Sequence, residues 1–203
     1  GIIDYVKVAS AYASRFQEEG GDIYTGAAVH QISENNGSLA VTTLKGLLHA
    51  KHLINCAGLY ADRVAEMTGE LTNVRIIPFR GEYYTLRPES QFMVKGLIYP
   101  VPDPAFPFLG VHFTRNIHGQ VEAGPNAVLA LSREGYQKTD INLAESWGTV
   151  TYPGFWKMSA RYWRTGVAEV RRSYSKGVFV RDLQKLIPGV QSQDLAAGGA
   201  GVR

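Results

Sequence analysis

Apolar residues in the first twenty positions recur with a helical period. Tyr5, Val8, Ala9, Tyr12, Ala13 and Phe16 fall at i, i+3, i+4, i+7, i+8 and i+11. This predicts one face of a helix that Asp4 caps and Gly20-Gly21 ends. The period then shortens to two. A short strand is expected at 22–24, and strands at 28–33 and 39–44 flank Asn35-Asn36-Gly37, residues that tolerate the positive φ of a hairpin turn. Further strands are expected at 46–50 and 52–56. In the latter, Leu53-Ile54-Asn55-Cys56-Ala57-Gly58 reads as a buried strand running into a small-residue turn, followed by a helix over 60–67 that Gly69 closes.

A second region opens at Val74. Pro78 argues against a central strand over the first part of 74–87, because proline cannot donate to a ladder. The prolines of 99–107 predict an extended loop. Segments 108–115 and 120–123 pair as strands through 116–119, and 140–186 turns helical, with a break at Pro153-Gly154 and a stop at Pro188-Gly189. The expected class is mixed, α+β or α/β.

Composition narrows the picture. The 203 residues leave room for one substantial core or two domains of about 100 residues. With 45% hydrophobic and 19% charged residues, a disordered chain is excluded. No apolar run approaches the ~20 residues of a membrane span, and no basic segment precedes an apolar one near Gly1. A single cysteine, Cys56, forms no internal disulfide, so a cytoplasmic setting is the default expectation. The net charge of +3 is too small to imply a nucleic-acid partner. A start at Gly1 and a stop at Arg203, directly after a small-residue stretch, lead us to expect a fragment of a longer protein.

Four segments are candidates for chemistry, each with a plainer structural alternative. The Cys56-Ala57-Gly58 turn lets backbone approach a ligand closely, or is simply a tight turn. Arg80-Gly81-Glu82-Tyr83-Tyr84 alternates, with Arg80, Glu82 and Tyr84 on one face and Phe79, Gly81 and Tyr83 on the other; a surface ion pair is the alternative. His112 shares a strand face with Phe108, Gly110 and Thr114 and has the pKa range of a general base, or is a hydrogen-bonded core residue. Gly124-Pro125-Asn126-Ala127 is a turn that presents an amide to a ligand, or only a turn. No metal site is expected: His49 and His52 point to opposite faces of an extended segment. The cations and aromatics of Arg161-Tyr162-Trp163-Arg164 and Arg171-Arg172 read as an arginine rim on amphipathic helices rather than as a nucleic-acid surface, because Glu145, Glu169 and Asp182 sit among them.

Together these segments resemble the L-2-hydroxyglutarate oxidase/dehydrogenase family of the D-amino-acid oxidase superfamily, whose members depend on FAD. Gly1-Ile2-Ile3-Asp4, Gly26-Ala27-Ala28-Val29 and Leu53 to Asp62 carry the superfamily likeness. The narrower match comes from Pro78 to Tyr84, Tyr99 to Pro104, Phe106 to Arg115 and Gly124 to Ala130. The resemblance implies a two-domain flavoprotein. Residues 1–73 would be the later half of its FAD-binding domain, 74–186 a substrate-binding domain with a mixed or antiparallel sheet and helices, and 187–203 a return to the first.

By the same resemblance, Val29 approaches the adenosine part of FAD, and Ala57 and Gly58 pass the cofactor through backbone. Gly201-Val202-Arg203 is similar to a segment whose arginine binds the substrate carboxylate. Arg80 or Arg115 would take the second carboxylate, Tyr83 and Asn126 would line the substrate site, and His112 would accept the hydroxyl proton. The implied substrate is a small dicarboxylate, the electron acceptor oxygen or a quinone, and a peripheral membrane contact is compatible with the family. FAD belongs to the full-length protein; the chain alone is expected to be colourless and inactive. The rivals are a related oxidase acting on an amine or glycerol 3-phosphate, and a non-catalytic module whose loop at 99–108 binds a partner.

Overall fold

The structure, a computed structural model, describes residues 1–69, 73–102 and 110–203. The chain divides into two units, Asp4–Ile76 and Ile77–Arg203 with Gly1–Ile3.

In the smaller unit, helix α1 (Tyr5–Glu18) begins where Asp4 Oδ1 accepts from the backbone N–H groups of Val6 at 3.0 Å and Lys7 at 3.2 Å. Its predicted apolar face is formed but buries nothing: Tyr5 is 77% and Tyr12 73% exposed. Strands β1 (Val29–Asn35), β2 (Ser38–Thr43) and β3 (Gly46–Ala50) make an antiparallel meander. The expected hairpin turn is present, with Asn36 at φ 52° and Gly37 at φ 73°. Ile32 and Val41 face each other across β1 and β2 and are the buried apolar pair of this unit. Segments 22–24 and 52–56 are not strands, because a strand needs a ladder neighbour and neither has one among the described residues. The burial expected of Leu53 to Cys56 is likewise absent. After a single 3-10 turn at Gly58–Tyr60, helix α2 (Ala61–Met67) follows as predicted. The buried Asp62 carboxylate accepts from Ile76 N at 3.0 Å and so ties the helix to the end of the unit.

The larger unit is built on an antiparallel sheet. Its strands are β4 (Phe79–Leu86), β5 (Leu97–Ile98), β6 (His112–Arg115), β7 (Val121–Gly124), β8 (Val128–Leu129) and β9 (Leu195–Val202), ordered β5-β6-β7-β4-β8. β9 lies against the other edge of β4, since Tyr84 pairs with both Ala123 and Ala197. As expected, the first part of the segment, 74–78, is not a strand, and Pro78 ends it. It sits one residue outside β4, whose own N–H groups are free to pair on both sides. The predicted pairing across 116–119 is found as β6 with β7, although Phe108 and Leu109 lie outside the described residues. Helices α3 (Leu143–Val150), α4 (Pro153–Tyr174) and α5 (Lys176–Gln184) fill the predicted helical stretch, with the break at Pro153.

Register fixes which side chains share a face. Tyr84, Ala123 and Phe113 are cross-strand neighbours, and with Leu86, Val121 and Leu195 they pack on Phe179 and Leu183 of α5. Tyr84 meets Phe179 edge-on at 4.9 Å. The tail closes the sheet: β9 follows β4 from Leu86 back to Arg80 within the larger unit. A Cβ at Gly198 would lie 2.6 Å from the Tyr83 carbonyl oxygen, which explains a glycine where the β4–β9 register slips.

Candidate functional site

The sheet face opposite α5 carries the candidate chemistry. Thr85, Glu122 and Thr114 are partners across β4, β7 and β6, and strand alternation adds Tyr83 and His112 to the same face. His112, half-buried, places Nδ1 at 3.1 Å from the Gly110 carbonyl oxygen. A carbonyl only accepts, so Nδ1 carries the proton and the neutral ring keeps its lone pair on Nε2. The Tyr99 ring stacks on the imidazole, with centroids 4.1 Å apart and planes 15° apart, and the Tyr99 hydroxyl and Thr114 Oγ1 are 2.9 Å apart.

Electrostatics join Arg203 to this group. The His112 pKa is pushed below its ordinary 6.5, mainly by burial; the Gly110 hydrogen bond opposes this, and the Arg203 charge adds to it. Burial also raises the Tyr83 phenol, opposed by Arg203 and reinforced by Glu122 and Tyr99. One arginine thus acts on both side chains. Its Cα is held by two backbone bonds with Phe79, N to O at 2.8 Å and 2.9 Å. At neutral pH the face offers an uncharged imidazole base, an uncharged phenol donor and an exposed permanent cation.

Three other predicted substrate residues point elsewhere. Arg80 is buried on the helix side, where its guanidinium pairs with Glu82 Oε1 at 3.1 Å and donates to the carbonyls of Gln137 at 2.9 Å and Gly135 at 3.4 Å. Arg115 shares the face of Phe113 and donates to the carbonyls of Gln91 and Val94, each at 2.7 Å, and of Gly119 at 2.8 Å. It clamps two loops. Asn126, 1% exposed, accepts from Glu82 N and donates to Glu82 Oε2, both at 2.8 Å. Their polar atoms are engaged within the chain, which gives each of the three a structural role. A cavity of about 440 Å3 does lie on the helix side, lined by Arg80, Glu82, Lys138 and the Gly198 to Ala200 stretch of β9. Glu82 balances its cations, also reaching Lys138 Nζ at 3.6 Å and accepting from Ser173 Oγ at 2.7 Å.

This hub sets a stability expectation. Glu82→Leu leaves the Arg80 guanidinium buried without its carboxylate, and should destabilise the protein by about 3 kcal/mol in denaturant unfolding. A change below about 0.5 kcal/mol would contradict the structural role.

Neither Tyr99 nor Thr114 was assigned to the substrate site from the sequence. Thr114 was visible by alternation with His112; Tyr99 was hidden in a proline-rich stretch without periodicity.

The cofactor candidates sit in the smaller unit. Gly58 takes φ +55° in a turn held by Asn55, whose Nδ2 donates to Ala61 O at 2.7 Å and whose Oδ1 accepts from Ala57 N at 3.2 Å. Ala57 and Gly58 are exposed, and a Cβ at Gly58 would meet nothing within 4 Å. An open, rigid turn without bulky side chains fits a group that lies along backbone, as a dinucleotide does. Val29 is half-buried at the start of β1. No cluster of three His, Cys, Asp or Glu suited to a metal occurs among the described residues.

Comparison with known proteins gives the family. Residues 1–201 match the DAO family, described as FAD dependent oxidoreductase. The chain belongs to this family. It is 53% identical over 204 residues to an L-2-hydroxyglutarate dehydrogenase of Indibacter alkaliphilus, covering all of this chain and 51% of that protein. The mitochondrial L-2-hydroxyglutarate dehydrogenase of Homo sapiens is 40% identical over 215 residues, again across the whole chain and 46% of the relative. The chain spans about half the length of the curated relatives it matches. Among solved structures, the dithionite-reduced L-alpha-glycerophosphate oxidase of Mycoplasma pneumoniae, with FAD bound, superposes with a TM-score of 0.63 at 18% identity. That match covers 94% of this chain and 42% of the oxidase and shows a shared fold.

Proposed function

We propose that the whole protein oxidises L-2-hydroxyglutarate to 2-oxoglutarate. Relatives at 40–53% identity named for that activity support the substrate, and the family supports FAD. The observation that carries the chemistry is the His112 Nδ1 contact with Gly110, which leaves Nε2 as a base on the face where the Arg203 charge acts. Arg203 binds one carboxylate of the dianion through its guanidinium fork. Tyr83, protonated at neutral pH, donates a hydrogen bond to substrate oxygen. His112 Nε2 takes the hydroxyl proton as the hydride leaves C2. When bound, FAD supplies the acceptor for that hydride, with Val29, Ala57 and Gly58 among the residues that would hold it. Arg80 and Arg115, the expected partners of the second carboxylate, have their guanidinium groups engaged within the chain.

Anaerobic addition of L-2-hydroxyglutarate to the purified full-length protein should bleach its flavin absorbance, while glycerol 3-phosphate and amines leave it oxidised. Bleaching by glycerol 3-phosphate alone would transfer the reading to the related oxidase. A full-length protein without flavin would favour the non-catalytic module.

Reoxidation falls to oxygen or a quinone, and we place the whole protein peripherally on a membrane. Support comes from α4, which after a kink at Tyr162 exposes Trp163, Val167, Val170 and Tyr174 in one stripe beside Arg164 and Arg171. No described helix is long and apolar enough to cross a membrane. Flotation with anionic vesicles should carry the full-length protein upward; its absence from the floating fraction would reject the contact.

A further inference from the structure

We propose that Tyr99 is a positioning residue, whose ring holds the His112 imidazole in the orientation that presents Nε2 to the substrate hydroxyl. The inference rests on the reading of His112 as the base.

The second side-chain torsion of histidine is broad, so a single hydrogen bond leaves the ring free to tilt. The Nδ1 contact with Gly110, at 3.1 Å, fixes one atom of the imidazole. Tyr99 supplies what that contact lacks: a flat wall 4.1 Å away and within 15° of parallel, which blocks rotation out of the plane. The wall is itself anchored, because the Tyr99 hydroxyl lies 2.9 Å from Thr114 Oγ1. Thr114 stands two residues from His112 on the same face of β6, so the base and the anchor of its wall ride on one strand. Register delivers the ring: Tyr99 directly follows β5, whose Leu97 and Ile98 pair with Thr114 and Phe113.

The charged and titratable groups on this face are Tyr99 after β5, Tyr83 of β4, Glu122 of β7 and Arg203 after β9. Arg115 of β6 points to the other side, toward the carbonyls of Gln91 and Val94. Tyr99 also covers one face of the imidazole, so its loss lets water in and relaxes the burial that lowers the His112 pKa.

The test uses the full-length holoenzyme. Tyr99→Leu is expected to lower kcat about tenfold with KM within about twofold, and to move the acid limb of kcat/KM upward toward pH ~6.5. Tyr99→Phe keeps the ring and should restore kcat and the limb to within about twofold of wild type. A Tyr99→Leu enzyme with wild-type kcat and limb, where His112→Asn is impaired, overturns the role of Tyr99 alone. A tenfold loss in Tyr99→Phe overturns it as well, because the ring is still there; this outcome is readable even if the leucine variant does not fold. Wild-type turnover in His112→Asn overturns the base itself and the role of Tyr99 with it.

Discussion

Arg203→Met in the full-length enzyme is expected to lower kcat/KM for L-2-hydroxyglutarate about 10²- to 10³-fold. Methionine keeps most of the length of the side chain and removes the charge and the fork. The backbone bonds of Arg203 with Phe79 do not depend on the side chain, so β9 should keep its register and the fold its stability. Arg203→Lys restores the charge but not the paired N–H groups, and should fall between wild type and methionine. Steady-state kinetics and a melting curve on each variant separate binding from folding. A loss below about threefold in Arg203→Met would remove Arg203 from the substrate site.

The second large effect is expected at His112. His112→Asn should lower kcat about 10²- to 10⁴-fold, the usual contribution of a positioned general base. Asparagine can still donate to the Gly110 carbonyl, so the strand keeps its contact while the base is gone. The pH profile supplies an independent readout. The working form is the neutral imidazole, and the folded pKa lies below 6.5 because burial and Arg203 disfavour the cation. Wild-type kcat/KM should therefore be level through neutral pH and fall only as pH drops through that lowered value. The same limb should vanish in the asparagine variant. Turnover within about threefold of wild type would remove His112 as the base.

Local signals carried most of the secondary structure. Asp4 and Gly20 bound α1, Asn36-Gly37 makes the hairpin, and Pro153 starts α4, because caps, positive φ and missing donors act within a few residues. Segments whose state depends on a distant neighbour were harder to read. Leu53 to Cys56 is apolar and β-prone, yet without a ladder partner it is neither strand nor buried. Pro78 correctly excluded a strand over 74–78, but that β4 begins one residue later and pairs on both edges depends on the distant β7, β8 and β9.

The site divides in the same way. Alternation already separated Arg80 from Tyr83 on β4, and the same rule on β6 separates Arg115 from His112. Alternation does not say which face the helices cover, and that decided the outcome. Once α5 packs on Tyr84 and Leu86, the arginines on that side are spent on carbonyls and on Glu82. In the proposed function the chemistry rests on Tyr83, His112 and Arg203. Tyr99 reaches His112 through the pairing of β5 with β6, a contact that spans 13 positions of chain and leaves no periodic trace.

The most direct measurement is a crystal structure of the full-length protein with 2-oxoglutarate bound. The account predicts one carboxylate on the Arg203 guanidinium and the C2 oxygen within about 2.6–3.2 Å of His112 Nε2, on the sheet face that carries Tyr83. Ligand density instead in the cavity between Arg80 and Lys138, on the helix side of β4 and remote from His112, would contradict it.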